Sequence, residues 1–170
     1  MISRIAQGLR ALFAWATPVD TAAAAGVLSP ELMALFGRMR RSEQLHSLRV
    51  MRTLRAQGYT DPDLLTAALL HDSGKSRYPL GLVGRTLAVL ARHYLPGPFA
   101  RWSAGEPSGW RRPFVIAEQH PGWSAEDMLA AGASARAASL ARRHQLPHIK
   151  HPVSDEDRLL ALLQAADDRH

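Results

Sequence analysis

The chain has 170 residues, 46% of them hydrophobic and 21% charged, which excludes a disordered, collagen-like or low-complexity polypeptide and matches the size of one domain. It contains no cysteine, so disulfide frameworks, zinc ribbons, iron–sulfur clusters and thiol nucleophiles are excluded, and any metal must be held by His, Asp or Glu. That usage fits a reducing, cytoplasmic setting. The formal charge of +6 suggests nucleic acid, but of the 21 basic residues only Lys75 and Lys150 are lysines, and the arginines are scattered along the chain. An arginine-rich background accounts for the charge, and nucleic acid is not an expected partner.

Apolar spacing predicts helices throughout and no alternating strand. Ile5, Leu9, Leu12, Phe13 and Ala16 fall on one face of an amphipathic helix over residues 2–16, which Thr17-Pro18 ends. This segment resembles neither a signal peptide nor a membrane span, since Arg10 interrupts it and no run of 18 apolar residues occurs in the chain. Packing on its own domain is the simplest use of such a helix, with a membrane surface or a partner as alternatives. After Gly26, Ser29-Pro30-Glu31 is a start signal, an N-cap followed by Pro in the first turn. Helical character continues to Gln57, with a break near Arg41-Ser42, and Gly58 supplies the stop. Asp61-Pro62-Asp63 opens an apolar helix that runs to His71-Asp72 and closes at Gly74.

Residues 80–94 are again helical. Pro96-Gly97-Pro98 and the stretch from Gly105 to Pro113 are expected to be loop. Helix over 113–119 is expected to stop before Pro121 and restart at Ser124. An Ala-rich helix covers 134–144, a polar loop 145–153, and Ser154 to Asp157 caps a last helix ending at Asp167. The sum is an all-α bundle of about seven helices, with residues 1–28 as an N-terminal helix and connection and 29–170 as the main helical domain.

Six polar residues sit where a purely structural role is hard to supply. His46 lies among core-facing Leu45, Leu48 and Val50. His71 and Asp72 end an apolar helix, where an unpaired buried charge would be costly. His120 precedes Pro121, His144 ends the Ala-rich helix, and Asp167 follows Leu162-Leu163-Gln164-Ala165-Ala166. Each alone has a plain structural reading. Together they supply four imidazoles and two carboxylates, the donor inventory of one or two divalent cations in a nitrogen and oxygen site.

His46-Ser-Leu-Arg-Val, Leu69-Leu70-His71-Asp72-Ser73-Gly74-Lys75 and Ala166-Asp167 resemble the HD-domain superfamily of metal-dependent phosphohydrolases, over residues 29 to 168. The stretch His120-Pro-Gly-Trp-Ser-Ala-Glu-Asp-Met-Leu129 is similar to a segment of the HD-GYP branch, whose members hydrolyse cyclic dinucleotides. Gln145-Leu-Pro-His148 departs from that branch, with no second adjacent His and no Gly-Tyr-Pro. The resemblance implies an HD-like helical bundle and a phosphohydrolase acting on a nucleotide or other small phosphoester. It also implies one metal on His46, His71, Asp72 and Asp167, and a second on Asp72, His120 and His144. The metals would be Mn, Fe, Ni, Co or Mg, with Asp72 as the catalytic aspartate bridging the two and the cations activating a water between them. Lys75 is assigned to substrate phosphate, or else faces solvent. Arg49 could also face the site or pair with an acid, and Asp168 is the other candidate for the last ligand. His148 and His151 are expected in solvent. Trp102, Trp110, Arg101, Arg111 and Arg112 could stack a base and pair a phosphate, or the two Trp could pack on the bundle. The same ligand set also serves a di-iron HD-type oxygenase, and a non-catalytic, metal-stabilised regulatory domain is a third possibility.

Overall fold

A computed structural model describes residues 18–170, so the amphipathic helix expected over 2–16 lies outside the described residues. Nine α-helices and no strand occur among them. In chain order these are α1 (Thr21–Ala25), α2 (Pro30–Arg38), α3 (Arg41–Ala56), α4 (Pro62–Leu70), α5 (Leu82–Tyr94), α6 (Pro96–Trp102), α7 (Arg112–Ala130), α8 (Ala135–Arg143) and α9 (Asp155–Asp167). Single 3₁₀ turns cover Ser73–Arg77 and Gly109–Arg111.

Local chemistry sets most boundaries. The Ser29 hydroxyl accepts from the Leu32 amide at 3.3 Å, and Asp61 accepts from the amides of Asp63 and Leu64 at 2.9 and 3.0 Å. Ser154 caps α9 through the Asp157 amide at 3.1 Å. These side chains satisfy donors that a helix start leaves orphaned. The stretch from 30 to 57 is two helices, because Met39 and Arg40 are extended, with ψ of 149° and 148°. Gly58 ends α3 at φ +87°, a left-handed conformation that side chains disfavour.

Helix α4 is apolar on all sides because it is central. Every residue from Leu64 to Leu70 is buried, and α3, α8 and α9 pack around it. Leu35, Phe36, Leu48, Met51, Leu54, Met128, Leu140, Leu160 and Leu163 complete the main core. Truncating one such fully buried leucine to alanine costs about 2–5 kcal/mol. A second, smaller cluster joins Ala88 and Ala91 of α5 to Phe99 of α6 and Phe114 of α7.

Two expectations need correction. Helix α7 does not stop at Pro121 but runs through it to Ala130, so His120 sits in mid-helix rather than at a helix end. Pro121 has no N–H for the Ala117 carbonyl, and Arg92 of α5 fills the gap, donating to that oxygen at 2.7 Å. Tertiary structure thus supplies the bond that the local sequence removes. Second, the stretch from 96 to 113 is not all loop. Pro96 opens the short helix α6, and Trp102, Trp110 and Phe114 stack on one another with ring centroids 5.1 to 6.1 Å apart.

Candidate metal centre

Five elements deliver the six residues to one place. His46 projects from the middle of α3, and Asp167 is the last residue of α9. His71 is the residue that caps the C-terminus of α4, and His144 caps that of α8. Asp72 follows His71, and His120 reaches in from α7.

The orientation of three imidazoles is fixed from behind. His71 donates from Nδ1 to the Ala68 carbonyl at 3.1 Å, and His144 from Nδ1 to Ala141 at 2.7 Å. His120 donates from Nδ1 to Ile116 at 2.9 Å. A carbonyl can only accept, so each Nδ1 carries a proton, and in the neutral ring Nε2 is the nitrogen that offers a lone pair to a metal. For His71 and His144 the bonded carbonyls belong to the last helical turn, which otherwise lacks partners. This arrangement presets imidazoles for metal ligation.

The lone pairs converge on carboxylates. Asp72 Oδ1 lies 3.2 Å from His120 Nε2 and 3.8 Å from His144 Nε2, while its Oδ2 is 3.8 Å from His71 Nε2. Asp167 Oδ1 accepts from His46 Nε2 at 2.8 Å and lies 3.6 Å from His71 Nε2. Three trios have ligand atoms within 4.8 Å of one another: His46, His71 and Asp72; His71, His144 and Asp167; and Asp72, His120 and His144. The donors are hard to borderline, the set that suits a divalent cation. His71 Nε2 is buried and has no hydrogen-bond partner, an orphan that a cation would satisfy. The residues fit a metal.

The electrostatics agree. Burial pushes the His144 imidazole down to about 3, helped by neighbouring His71 and His120 and opposed by Asp72. Burial and then the Lys75 ammonium lower His120 against the pull of Asp72. Both stay neutral, as ligands must. Burial works to raise the Asp72 carboxyl, but Lys75, His71 and His120 outweigh it and hold it well below the usual carboxylate range. Asp167 is likewise lowered, burial being overcome by His46 and His71.

Lys75 donates to Asp72 Oδ2 at 2.7 Å and is about one-quarter exposed, so it touches the cluster while keeping access to water. Gly74 makes this turn possible. Its amide donates to the Ser124 hydroxyl at 2.8 Å, and a Cβ there would come 2.3 Å from the His120 carbonyl oxygen. Only glycine lets the segment after Asp72 lie against α7 where His120 projects.

Other candidates lie elsewhere. Asp168 pairs with exposed His148 at 3.2 Å, apart from the cluster, and His151 is exposed. Arg49 turns its Nε onto the Leu45 carbonyl of its own helix. Trp102 packs against the second apolar cluster, as the packing alternative expects, whereas Trp110 rests on the Trp102 and Phe114 rings and stays 66% exposed.

Two supporting residues escaped the sequence reading. Gln145 donates from Nε2 to His120 Nε2 at 3.2 Å, and its Oε1 accepts from Arg92 at 2.9 Å. Gln164 of α9 donates to the carbonyls of His144 and Leu146, tying down the end of α8. The freed carbonyl four residues before Pro121 signals that some donor must serve it, without naming Arg92, and nothing local marked Gln164. Gln145 also lines a cavity of about 340 Å³, with Pro121, Trp123, Arg92 and Arg142 among its walls. This cavity therefore adjoins the cluster through the residue bonded to His120.

Compared with known proteins, the chain matches no family model, no curated protein and no solved structure. A helical structure with a buried His/Asp cluster that could hold metal is compatible with an HD-like fold.

Proposed function

We propose that this chain is an HD-type metal-dependent phosphohydrolase acting on a nucleotide or other small phosphoester. The observation that carries the reading is the convergence of the imidazole lone pairs of His71, His120 and His144, each preset by a backbone carbonyl, around Asp72. His46, His71, Asp72 and Asp167 would hold one cation, and Asp72, His120 and His144 a second. When bound, such ions supply Lewis acidity toward phosphoryl oxygen and an attacking water with a lowered pKa.

The chain's own groups do the rest. Asp72 offers one oxygen toward His120 and the other toward Lys75. Lys75 spends one of its three N–H donors on Asp72, leaving two for a phosphoryl oxygen of the substrate. His71, His120 and His144 are buried, so water reaches the cluster from the side of half-buried His46, Asp167 and Lys75. The cavity beyond Gln145, with the Arg142 guanidinium and the Trp123 ring in its wall, has room for the non-reacting part of a small substrate.

The test is a panel of phosphomonoesters, nucleotides and cyclic dinucleotides with Mn, Fe, Ni, Co and Mg added singly, alongside elemental analysis and oxygen uptake. The expected result is metal in the isolated protein and metal-dependent hydrolysis of a phosphoester in the panel that Asp72→Ala abolishes. Equal activity of wild type and Asp72→Ala, or absence of metal after gentle purification, overturns the proposal. Substrate-dependent oxygen uptake in place of hydrolysis would assign the centre to oxygenase chemistry.

A further inference from the structure

Helix α5 is turned the opposite way from an ordinary surface helix. At 100° per residue, Gly84, Ala88 and Ala91 form its inner face, and the latter two are buried in the second cluster. Its large apolar residues point outward: Val83 is 74% exposed, Tyr94 63%, Leu82 53% and Leu87 51%, with Val89 and Leu90 close behind. They span an arc about 160° wide, which exposed Thr86 and His93 share, and exposed Leu95 continues it at the start of α6. Of the eleven exposed large hydrophobic residues described, seven fall between 82 and 95. Seven side chains about half exposed present roughly 600 Å² of apolar surface, at the top of the range for the largest patch on an ordinary monomer.

The surrounding lobe is basic and carries a further exposed aromatic residue. Between residues 80 and 112 stand Arg85, Arg92, Arg101, Arg111 and Arg112 against the single acid Glu106. Arg85 and Arg92 are paired with Glu43 and Glu118, but Arg101, Arg111 and Arg112 form no ion pair among the described residues. Trp110, 66% exposed, stacks on Phe114, which closes the same cluster that α5 packs on. A broad convex apolar face, excess arginine and exposed Tyr and Trp are the properties of a helix that lies in a lipid interface. A second copy would bring this basic lobe against another of the same sign.

We propose that α5, with the lobe that carries it, docks this protein on the surface of an anionic membrane, lying in the headgroup region without crossing it. No helix among the described residues is long and apolar enough to span a bilayer, so the contact is peripheral. The apolar arc enters the acyl boundary while exposed Arg101 meets lipid phosphates; half-buried Arg111, which donates to the Ala104 carbonyl, and Arg112, over the Tyr78 ring, add to the positive charge of the lobe. The inference is independent of the metal centre, to which none of these side chains belongs.

The experiment is flotation of the full chain with vesicles of phosphatidylcholine alone and with about one-third phosphatidylglycerol, for wild type and Leu87→Glu/Leu90→Glu. Both substitutions are at exposed positions, and an unchanged thermal unfolding curve and metal content would show that fold and centre are intact. Wild type is expected to float with anionic vesicles, at least 10-fold less with neutral ones, and the double variant at least 10-fold less with either. Failure of wild type to bind anionic vesicles overturns the proposal, and so does equal binding by the double variant, which would place lipid contact elsewhere. Light scattering supplies the remaining check: a wild-type dimer that Leu87→Glu/Leu90→Glu makes monomeric would assign the face to a second copy and overturn the lipid reading.

Discussion

Asp72 Oδ1 stands 3.2 Å from His120 Nε2, and the two residues are held together by a glycine two positions after the aspartate. Gly74 packs on the His120 backbone so closely that no Cβ fits, which brings the segment carrying Asp72 against the helix carrying His120.

Gly74→Ala is expected to force that segment off α7. Overpacking against fixed backbone costs about 1–3 kcal/mol, and in a chain of this size each kcal/mol lowers Tm by roughly 2–4 °C. Calorimetry of the variant checks the stability, and metal content checks the cluster. A Tm equal to wild type would show that the contact gives way without cost.

Asp72→Asn keeps the shape of the side chain and removes its charge. Asp72 is the carboxylate nearest His120 and His144 and also the partner of Lys75, so its loss leaves a half-buried ammonium unpaired beside imidazoles. Metal affinity is expected to fall by about 100-fold or more, beyond the range seen for residues that only support a ligand. Titration with Mn or Co, followed by calorimetry, reads this directly. Wild-type affinity in the variant would remove Asp72 from the ligand set.

Arg92 and Pro121 form a testable pair. Arg92→Met leaves the half-buried Ala117 carbonyl without its donor, a loss of about 1 kcal/mol. Pro121→Ala returns an N–H to that carbonyl, so the double variant is expected to recover much of the stability. Urea midpoints for the two single variants and the double variant close the cycle. Additive effects would show that the guanidinium is not substituting for the missing amide.

The metal-free protein is expected to lose stability steadily as pH falls below about 6.5. Burial keeps His144 neutral in the fold down to about 3 and lowers His120 in the same direction. The unfolded chain takes up those protons near pH 6.5, so it binds more protons than the fold, and the loss approaches about 1.4 kcal/mol per pH unit for each proton. Asp72 and Asp167, both lowered, add a further loss below about pH 4 as their carboxylates protonate in the unfolded chain first. Urea unfolding of chelator-treated protein at about pH 7.5 and pH 5 measures this, and His144→Gln is expected to flatten the slope. A midpoint independent of pH would contradict buried neutral imidazoles.

The helix starts at Ser29, Asp61 and Ser154, and the all-α class, were legible because capping and apolar spacing are local. The candidate donors were legible as residue types too, since polar groups at the ends of apolar helices stand out against burial cost. Pro121 misled for the same local reason: the sequence shows the missing N–H but not Arg92, which lies 25 residues before the carbonyl it serves.

What the sequence by itself determined is the chemistry on offer: helices, no thiols, and histidines and aspartates spaced along the chain. Only the tertiary structure decided that His46, His71, Asp72, His120, His144 and Asp167 join one cluster, that Asp167 and not Asp168 turns inward, and that Gln145 stands against His120. It also decided that α5 keeps its glycine and alanines inside and its leucines outside. Periodicity reveals that a helix has an apolar face, but which face meets the core depends on what packs against it. That is settled by residues far away in the chain.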